Sequence, residues 1–246
     1  MARGPLLSLS VAEKRFDPTH APLFSGFNLE VAPSSVVALV GPSGVGKSTL
    51  LRLVAGIDTN YQGRIEIDGV PAESAPPAGF VFQDARLLPW LTAAENIRAV
   101  RAQTTREEAV EILRRVGLAS FEDAFPHQLS GGMQRRVALA RAFSVNPRLL
   151  LLDEPFVSLD RSLVLEIQTV LRELIATHEP TVLLVTHLAE DAAALADRAV
   201  VLSGRPVRIT GDMQFPIPRD ARTAANLTRI AAEVDGIRTS REPALA

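Results

Sequence analysis

The chain has 246 residues, of which 47% are hydrophobic and 22% charged, and its formal net charge at pH 7 is −2. A chain of this length can bury one large α/β core or two small ones. The near-neutral charge provides no basic field of the kind that attracts nucleic acid. Cysteine is absent, which excludes disulfides, thiolate catalysis and cysteine-ligated zinc and is compatible with a reducing cytoplasm.

Hydropathy gives no sign of a membrane segment. No apolar run approaches the roughly 18 residues that a transmembrane helix needs, and the one near the N-terminus is too short for a signal peptide. We therefore expect no membrane span, so that any role at a membrane would require docking on another protein.

The first third of the chain predicts an antiparallel sheet beside a parallel one. Apolar and polar residues alternate at 6–11, 27–31 and 63–69, as in half-buried strands. The run at 36–40 is apolar throughout, which is typical of a strand buried on both faces of a parallel sheet. A further short strand is predicted at 79–82.

The middle of the chain predicts a helical insertion at about 84–146, with helices at 93–100 and 106–116. Strands return at 149–152, 181–186 and 198–202, and helices at 162–176 and 188–195 separate them. This alternation predicts a mostly parallel α/β sheet with helices on both faces. We expect one domain at 1–210 and a short tail at 211–246 that carries one weak helix.

The segment GPSGVGKST, between the strand at 36–40 and a helical pattern, fits the phosphate-binding pattern G-x-x-x-x-G-K-[ST]. Glycines allow positive φ and close backbone approach, so that successive N–H groups and the helix dipole form an anion site. We expect Lys47 to place its charge on the outer phosphates and Ser48 to offer its hydroxyl to Mg²⁺. The alternative is a glycine-rich turn without a ligand. The candidate nucleotide-binding residues are Gly41, Pro42, Ser43, Gly44, Val45, Gly46, Lys47, Ser48 and Thr49.

Lysine is rare in this chain. Only Lys14 and Lys47 are lysine among 26 basic residues, and the others are arginine. The lysine of the glycine loop therefore stands out from the composition around it.

The apolar strand at 149–152 ends in two acids, Asp153 and Glu154. Ligands bind at the carboxyl ends of parallel strands, which places both acids beside the glycine loop. Asp153 would hold Mg²⁺ through its water shell, and Glu154 would orient or deprotonate an attacking water. An acid pair that caps a loop is the alternative.

A second helix with free N–H groups at its start is predicted after the segment LSGGMQ at 129–134, with the helix itself at 135–145. Ser130 is a suitable N-cap, and Gly131 and Gly132 leave their N–H groups exposed. On physical grounds alone, an ordinary helix cap is the simpler interpretation.

Two further positions follow predicted strands. His187 comes after the strand at 181–186, where it can hydrogen-bond a γ-phosphate or the attacking water, although a lone histidine more often has a structural role. Gln83 ends the strand at 79–82. An apolar loop with the single tryptophan comes next, and it either packs under the helical insertion or offers a groove to a partner. Its residues are Leu87, Leu88, Pro89 and Trp90.

With these motifs in this order, residues 6–210 resemble an ATP-binding cassette (ABC) ATPase, the motor subunit of ABC transporters. The glycine loop is similar to Walker A, LLLLDE at 149–154 to Walker B with its catalytic glutamate, and LSGGMQ to the signature that names the family. Gln83 matches the Q-loop and His187 the switch histidine, while Phe16 lies where these proteins carry an aromatic that stacks on adenine. Ser158, Leu159 and Asp160 match the D-loop.

The resemblance implies a P-loop NTPase core with an antiparallel β layer and a helical insertion. It also implies hydrolysis of Mg-ATP by a head-to-tail homodimer, in which each ATP lies between Walker A of one copy and the signature of the other. Lys47, Glu154 and His187 would be catalytic. The expected metal site comprises Ser48, Gln83 and Asp153. The expected nucleotide contacts outside Walker A are Phe16, Gln83, Ser130, Gly131, Gly132, Gln134 and Asp160.

The partners implied are a second copy, permease subunits that dock near residues 87–90, and an upstream solute-binding protein. The implied location is the cytoplasmic face of the inner membrane, as a peripheral subunit without nucleic acid. The segments at 82–97 and 218–220 resemble the ATPase subunits of nitrate, sulfonate and taurine importers, which implies a small anionic solute. The chain also ends too early for the regulatory β-domain of some sugar importers.

Three points stay open at this stage. Val157 and Leu188 depart from the family pattern beside the D-loop and the switch histidine, which leaves the details of switching undecided. An exporter or lipoprotein-extraction ATPase would carry the same motifs. A cassette that acts on ribosomes or DNA is the remaining alternative.

Overall fold

The computed structural model describes residues 3–157 and 159–239. In this part of the chain the strands form a six-stranded and a four-stranded sheet. The strands are β1 (Leu7–Lys14), β2 (Phe24–Val31), β3 (Val36–Val40), β4 (Gln62–Ile67), β5 (Val70–Pro71), β6 (Gly79–Val81), β7 (Leu149–Asp153), β8 (Thr181–Thr186), β9 (Arg198–Ser203) and β10 (Arg208–Gln214). The α-helices are α1 (Lys47–Val54), α2 (Ala93–Arg98), α3 (Arg106–Arg115), α4 (Gly131–Ser144), α5 (Arg161–His178), α6 (Ala189–Leu195) and α7 (Ala224–Thr239).

The larger sheet has the order β10-β9-β3-β8-β7-β6, and its strands are parallel except for β10. Every residue of β3, β7 and β8 is buried, because both faces of the sheet are covered. Alternate residues such as Ala38 and Leu184 pack with the helices α4 to α7, and their neighbours Leu39 and Leu183 pack with α1 and the smaller sheet. The predicted α/β fold with helices on both faces is thus confirmed.

The smaller sheet, in the order β2-β1-β4-β5, is antiparallel throughout. Its apolar face, including Leu9, Phe27 and Ile65, packs over α1 and the larger sheet. The predicted antiparallel β layer is therefore present, and its strands β1 and β2 are longer than the alternating segments that indicated them.

The helices α2, α3 and α4 share a separate apolar core that includes Ile97, Leu113 and Val137. Of these helices, α4 begins at Gly131, four residues before the start predicted at 135. Ser130 caps it by accepting a hydrogen bond from the backbone N–H of Met133 at 3.3 Å. The low helix propensity of glycine delayed the predicted start, and the serine cap overrides that propensity.

The C-terminal part is more extensively ordered than the sequence indicated. The boundary placed at residue 210 falls inside β10, which continues the larger sheet by pairing with β9. The α-helix described in the tail, α7, buries Ile230, Ala231 and Val234 against the core next to α6. Residues 240–246 and Ser158, which the sequence assigned to the tail and to the D-loop, lie outside the described residues.

The parallel strands all end at one edge of the larger sheet, as βαβ topology requires. There β3 leads into the glycine loop, β7 ends at Asp153, and β8 ends one residue before His187. None of the helices in the described part of the chain has the length and apolar character to span a bilayer.

Candidate functional site

The glycine loop connects β3 to α1, and two of its three glycines have the positive φ that the sequence predicts. Gly44 has φ 78° and Gly46 has φ 117°, which favour glycine over other residues. The same expectation was wrong for Gly41, whose φ is not positive. A Cβ atom at Gly41 would lie 2.5 Å from the backbone oxygen of Leu202 in β9. Gly41 is therefore required by the close approach of β9.

Lys47 opens α1, and its ammonium group turns back into the loop. Its Nζ donates to the backbone oxygens of Gly41 at 2.8 Å and Pro42 at 3.0 Å, and lies 3.7 Å from Oε1 of Glu154. Burial lowers the pKa of Lys47, and the nearby Glu154 carboxylate opposes that shift. The loop thus presents one concentrated positive charge next to a carboxylate.

Ser48 and Asp153 form the second contact between α1 and the strand ends. The Ser48 hydroxyl donates to Oδ1 of Asp153 at 2.7 Å. Burial raises the pKa of Asp153, and the hydrogen bond from Ser48 opposes that shift. Two oxygen ligands, a hydroxyl and a carboxylate, therefore lie side by side at the end of β7.

This oxygen pair fits Mg²⁺. The ion takes oxygen ligands, keeps several waters and is usually held by one or two carboxylates together with substrate phosphates. Within residues 3–157 and 159–239, no group of three or more His, Cys, Asp or Glu side chains forms a metal cage. Ser48 and Asp153 therefore suit a metal that a phosphate ligand helps to hold.

Glu154 lies between Lys47 and His187. Its φ of 46° is unusual for a residue other than glycine, and its backbone N–H donates to the oxygen of Val185 at 2.9 Å. Oε2 of Glu154 lies 3.2 Å from Nδ1 of His187, although the two residues are 33 positions apart. Strained backbone conformations of this kind cluster at active sites, where the surrounding structure holds them in place.

Three residues that the sequence did not single out hold the segment around His187. The Thr186 hydroxyl donates to Oδ2 of Asp191 at 2.7 Å and accepts from the N–H of Leu188 at 3.1 Å. Burial raises the pKa of Asp191 to about 6. Arg238 of α7 donates to the backbone oxygen of His187 at 3.0 Å. The one signal in the sequence is the position of Asp191 among the alanines of α6.

Lys47, Ser48 and Glu154 line a cavity of about 230 Å³, whereas Asp153 and His187 lie next to it without lining it. The cavity brings together residues from the glycine loop, from α1 and from the segments that follow β6 and β7. Gln83 is thus placed beside the phosphate loop, and Val45 packs behind it in the apolar core. The lining residues are Ser43, Gly44, Gly46, Lys47, Ser48, Thr49, Gln83 and Glu154.

The second glycine segment lies apart from that cavity, and none of its residues lines it. Gly131 is exposed, and a Cβ atom built there would meet no atom within 4 Å. At Gly132, by contrast, a Cβ atom would lie 2.1 Å from Cδ2 of Leu163. Gln134 turns inward and donates to the backbone oxygens of Pro126 at 2.9 Å and Leu129 at 3.1 Å.

Asp160 also lies outside the cavity. It is the N-cap of α5 and accepts a hydrogen bond from the N–H of Leu163 at 3.0 Å. Asp160, Ser130 and Gly131 are all exposed, so the nucleotide contacts expected of them are not made around the cavity of their own chain.

Arg135 connects these two regions, and sequence reasoning missed it. Its guanidinium group is buried and donates to the backbone oxygens of Gln83 and, at 3.1 Å, of Val157. Arg135 therefore ties α4 both to the Gln83 segment and to the loop before α5. Its neighbour Arg136 is less buried, and the sequence offers no pattern that tells the two arginines apart.

Phe16 projects into solvent at the end of β1, with 66% of its side chain exposed. It does not line the cavity. The ammonium group of Lys14 lies 5.0 Å from the centre of its ring. The Phe16 ring is therefore open to a ligand, and the contact with Lys14 orients it.

The apolar loop after Gln83 is partly packed under the helical insertion and partly exposed, so each of the two predicted arrangements describes part of it. Leu87 packs against the core of the helical insertion, whereas Trp90 is 69% exposed. The buried Asn96 side chain fixes the loop, because it accepts from the N–H of Leu88 at 2.8 Å and donates to the oxygen of Leu91 at 3.0 Å. A rigid loop therefore presents an exposed tryptophan.

Comparison with known proteins agrees with this geometry. The model of the ABC transporter family matches residues 24–157. The chain is 43% identical over 244 residues to the aliphatic sulfonates import ATP-binding protein SsuB of Granulibacter bethesdensis, which covers 98% of both chains. It is 42% identical over 227 residues to an SsuB 1 protein of Pseudomonas aeruginosa, which covers 88% of this chain and 90% of that one.

Solved structures show the same similarity. The fold superposes with a TM-score of 0.74 on the ATP-binding cassette MJ0796, in a dimeric structure of a post-hydrolysis state bound to ADP and phosphate. That match is 28% identical in sequence and covers 85% of this chain and 98% of the other.

Proposed function

This chain belongs to the ABC transporter family, and from that premise we propose that it is the ATP-hydrolysing subunit of an importer for aliphatic sulfonates. The observation that carries the enzymatic part is the gathering of Lys47, Ser48, Asp153, Glu154 and His187 at one sheet edge. The solute class is supported by relatives of 40–43% identity that are named as aliphatic sulfonates import proteins.

We propose that the triphosphate of ATP binds in the glycine loop, where free N–H groups, the dipole of α1 and Lys47 attract it. Ser48, Asp153 and Gln83 would hold Mg²⁺ with the phosphates. When bound, the metal neutralises charge on the phosphate oxygens as it develops. Phe16 stacks on the adenine base.

Glu154 is the group that acts on the attacking water. Water attacks the γ-phosphorus, the bond to the oxygen of the leaving ADP breaks, and the Glu154 carboxylate orients the water and receives its proton. His187 holds one carboxylate oxygen of Glu154 and hydrogen-bonds the γ-phosphate. The contact between Glu154 and His187 at 3.2 Å supports these paired roles.

A second copy of the chain completes the nucleotide site with Ser130, Gly131 and Gly132, and Asp160 lies at the interface between the copies. The exposed position of Gly131 outside its own cavity supports this assembly, as does the dimeric state of MJ0796. Gln134 supports this site indirectly, because its amide group donates hydrogen bonds that hold the segment before α4.

The membrane partners are permease subunits that dock on the loop of Leu87, Leu88, Pro89 and Trp90. Through this loop the ATP-driven closing motion of the dimer is transmitted to them. The exposed Trp90 on an anchored loop supports a docking role. An upstream solute-binding protein delivers the sulfonate, and the chain acts as a peripheral subunit at the inner membrane. The import function in the names of the relatives favours this interpretation over an exporter or a ribosomal or DNA-bound cassette.

Growth on defined sulfur sources tests the proposed function. A host strain that lacks this chain should fail to grow on an alkanesulfonate as the only sulfur source but grow normally on sulfate. The unaltered gene should restore growth and the Glu154→Gln variant should not. Normal growth of the deletion strain on alkanesulfonates, with loss of growth on another solute, would contradict the sulfonate assignment.

A further inference from the structure

Both lysines of this chain are buried, although lysine is normally an exposed residue. Lys47 is 4% exposed and Lys14 is 2% exposed. Lys47 belongs to the phosphate loop, but the proposed reaction gives no role to Lys14. A buried ammonium group is costly unless it is paired and hydrogen-bonded, so the surroundings of Lys14 should indicate what it does.

The ammonium group of Lys14 joins the end of β1 to the turn that follows α1. Its Nζ lies 2.8 Å from Oδ1 and 2.7 Å from Oδ2 of Asp58, and it donates to the backbone oxygen of Asn60 at 2.8 Å. Asp58 in turn donates its N–H to the oxygen of Arg52 in α1 at 3.2 Å. Lys14 is therefore tied to the far end of the helix that begins in the phosphate loop.

The backbone of Lys14 makes a second connection, to the near end of that helix. Its oxygen accepts from the N–H of Leu23 at 2.7 Å. The Leu23 side chain covers Gly46, since a Cβ atom at Gly46 would lie 3.1 to 3.2 Å from three of the Leu23 carbons. Lys14 is thus linked to both ends of the phosphate-loop helix.

Phe16, two residues after Lys14, depends on this anchor. The Lys14 ammonium lies 5.0 Å from the centre of its ring, within the distance of a cation–π contact, while 66% of the Phe16 side chain is exposed. A ring that is held in one orientation binds a flat ligand with a smaller loss of conformational entropy.

We propose that Lys14 is the positioning residue of the adenine site: it fixes the Phe16 ring at a set distance from the phosphate loop, so that base and triphosphate are bound together. This inference rests on the proposed role of Phe16 in base stacking. Lysine suits the position because its ammonium is a compact point charge whose donors reach the Asp58 carboxylate and the backbone oxygen of Asn60 together.

Binding of two ligands separates the base site from the phosphate site. Mg-ATP uses both, and Mg-tripolyphosphate uses the phosphate loop alone. We expect Lys14→Met to weaken binding of Mg-ATP by about 5- to 20-fold, the range of a lost cation–π contact together with looser stacking. Binding of Mg-tripolyphosphate should stay within about twofold of the original protein, as measured by titration calorimetry on the full chain.

Three variants complete the experiment. Phe16→Ala should also weaken Mg-ATP selectively, and Lys47→Ala should weaken both ligands. Arg198→Met is the matched control, because it removes an ion pair of similar closeness, 2.6 Å to Asp212, on β9 away from Phe16. It should leave the ratio of the two affinities unchanged even where it lowers stability.

The outcomes distinguish this inference from the proposed function. If Phe16→Ala leaves Mg-ATP binding unchanged, the base-stacking role of Phe16 is wrong. If Phe16→Ala acts selectively but Lys14→Met weakens neither ligand or both equally, the positioning role of Lys14 is overturned. Should Lys14→Met fail to fold, combining it with Asp58→Asn avoids an unpaired, partly buried carboxylate. That double variant must show the same selective loss, and an unchanged affinity ratio would overturn the inference.

Discussion

The helices that begin at Lys47 and at Gly131 both have glycines at their start, before the first turn in one and within it in the other, yet their surroundings differ. The first lies at the edge where parallel strands end, so Asp153, Glu154 and His187 collect around it. The second starts inside the helical insertion, where no strand ends. A Cβ atom built at the exposed Gly131 would lie more than 4 Å from the other described residues outside its own helix backbone and its chain neighbours.

This difference teaches that a helix N-terminus with glycines is not by itself a reaction site. The dipole and the N–H groups contribute about 0.3–1 kcal/mol at an exposed helix end, which is too little to select a ligand alone. The first segment gains charge, metal ligands and a proton acceptor from neighbouring strands. The second segment supplies only donors and requires groups from elsewhere, which we assign to a second copy.

The largest effect is expected from removing the proton acceptor that lies beside the first helix, Glu154. Glu154→Gln keeps the shape but loses the carboxylate, so turnover should fall by about 100- to 1000-fold, because general-base catalysis contributes on this scale. ATP binding should remain, and ATP-bound dimers should persist because they are not hydrolysed. Phosphate release and size-exclusion chromatography with Mg-ATP measure the two effects.

Glu190→Gln is the matched control for that variant, since Glu190 is an exposed carboxylate on α6 to which the reaction assigns no role. Its turnover should equal that of the original chain. If Glu154→Gln hydrolyses ATP at the original rate, the assignment of Glu154 as the base is wrong.

The two glycines of the second segment should respond differently to substitution. Gly131→Leu should leave the free energy of unfolding within about 0.5 kcal/mol of the original, because its side chain meets open space. Its turnover should fall at least about tenfold, because the side chain would obstruct a second copy. Gly132→Ala should instead destabilise the chain by about 0.5–1.5 kcal/mol, because Leu163 must move and the higher helix propensity of alanine offsets part of that cost.

Urea unfolding and steady-state ATP hydrolysis of the two variants separate these effects. A Gly131→Leu variant with full activity would show that nothing approaches this glycine during turnover. It would remove the main support for the half-site interpretation.

The smallest expected effect concerns the support behind His187. Burial raises the pKa of Asp191 from 3.8 to about 6, so between these values the folded chain binds more protons than the unfolded chain. The free energy of unfolding therefore falls as the pH rises from about 4 to 6, by about 1–3 kcal/mol, and the penalty is fully present above that range.

Asp191→Asn should remove this pH dependence and increase stability more at pH 7.5 than at pH 4, as measured by urea unfolding at both values. Gln134→Leu, in the second segment, breaks hydrogen bonds to backbone oxygens, and should lower stability equally at both pH values. An Asp191→Asn variant with the original pH dependence would contradict the raised pKa.

Patterns local in sequence predicted much of the fold and of the candidate site. The apolar runs of β3, β7 and β8 identified the parallel sheet, because both of its faces are covered. The rule that ligands bind at strand carboxyl ends then brought Asp153, Glu154 and His187 to the glycine loop. These inferences succeed because each needs only a short segment and the topology of the sheet.

Contacts between distant elements could not be predicted in the same way. The pair of buried Lys14 and partly buried Asp58 joins residues 44 positions apart, and Arg135 donates to the backbone oxygen of Gln83, 52 positions before it. Arg238 contacts the backbone of His187 from the C-terminal helix, which the sequence indicated only weakly. An exposed charged residue and a charged residue that is buried by a distant element look the same in the local sequence.

Cross-linking of two copies can show whether a nucleotide bound at Lys47 of one copy is covered by the Gly131 segment of another. The chain contains no cysteine, so Ser43→Cys and Ser130→Cys can be introduced into separate copies that also carry Glu154→Gln. The account predicts a disulfide-linked dimer in the mixture with Mg-ATP and none without nucleotide. Absence of that cross-link, in a mixture whose copies both bind Mg-ATP, would contradict it.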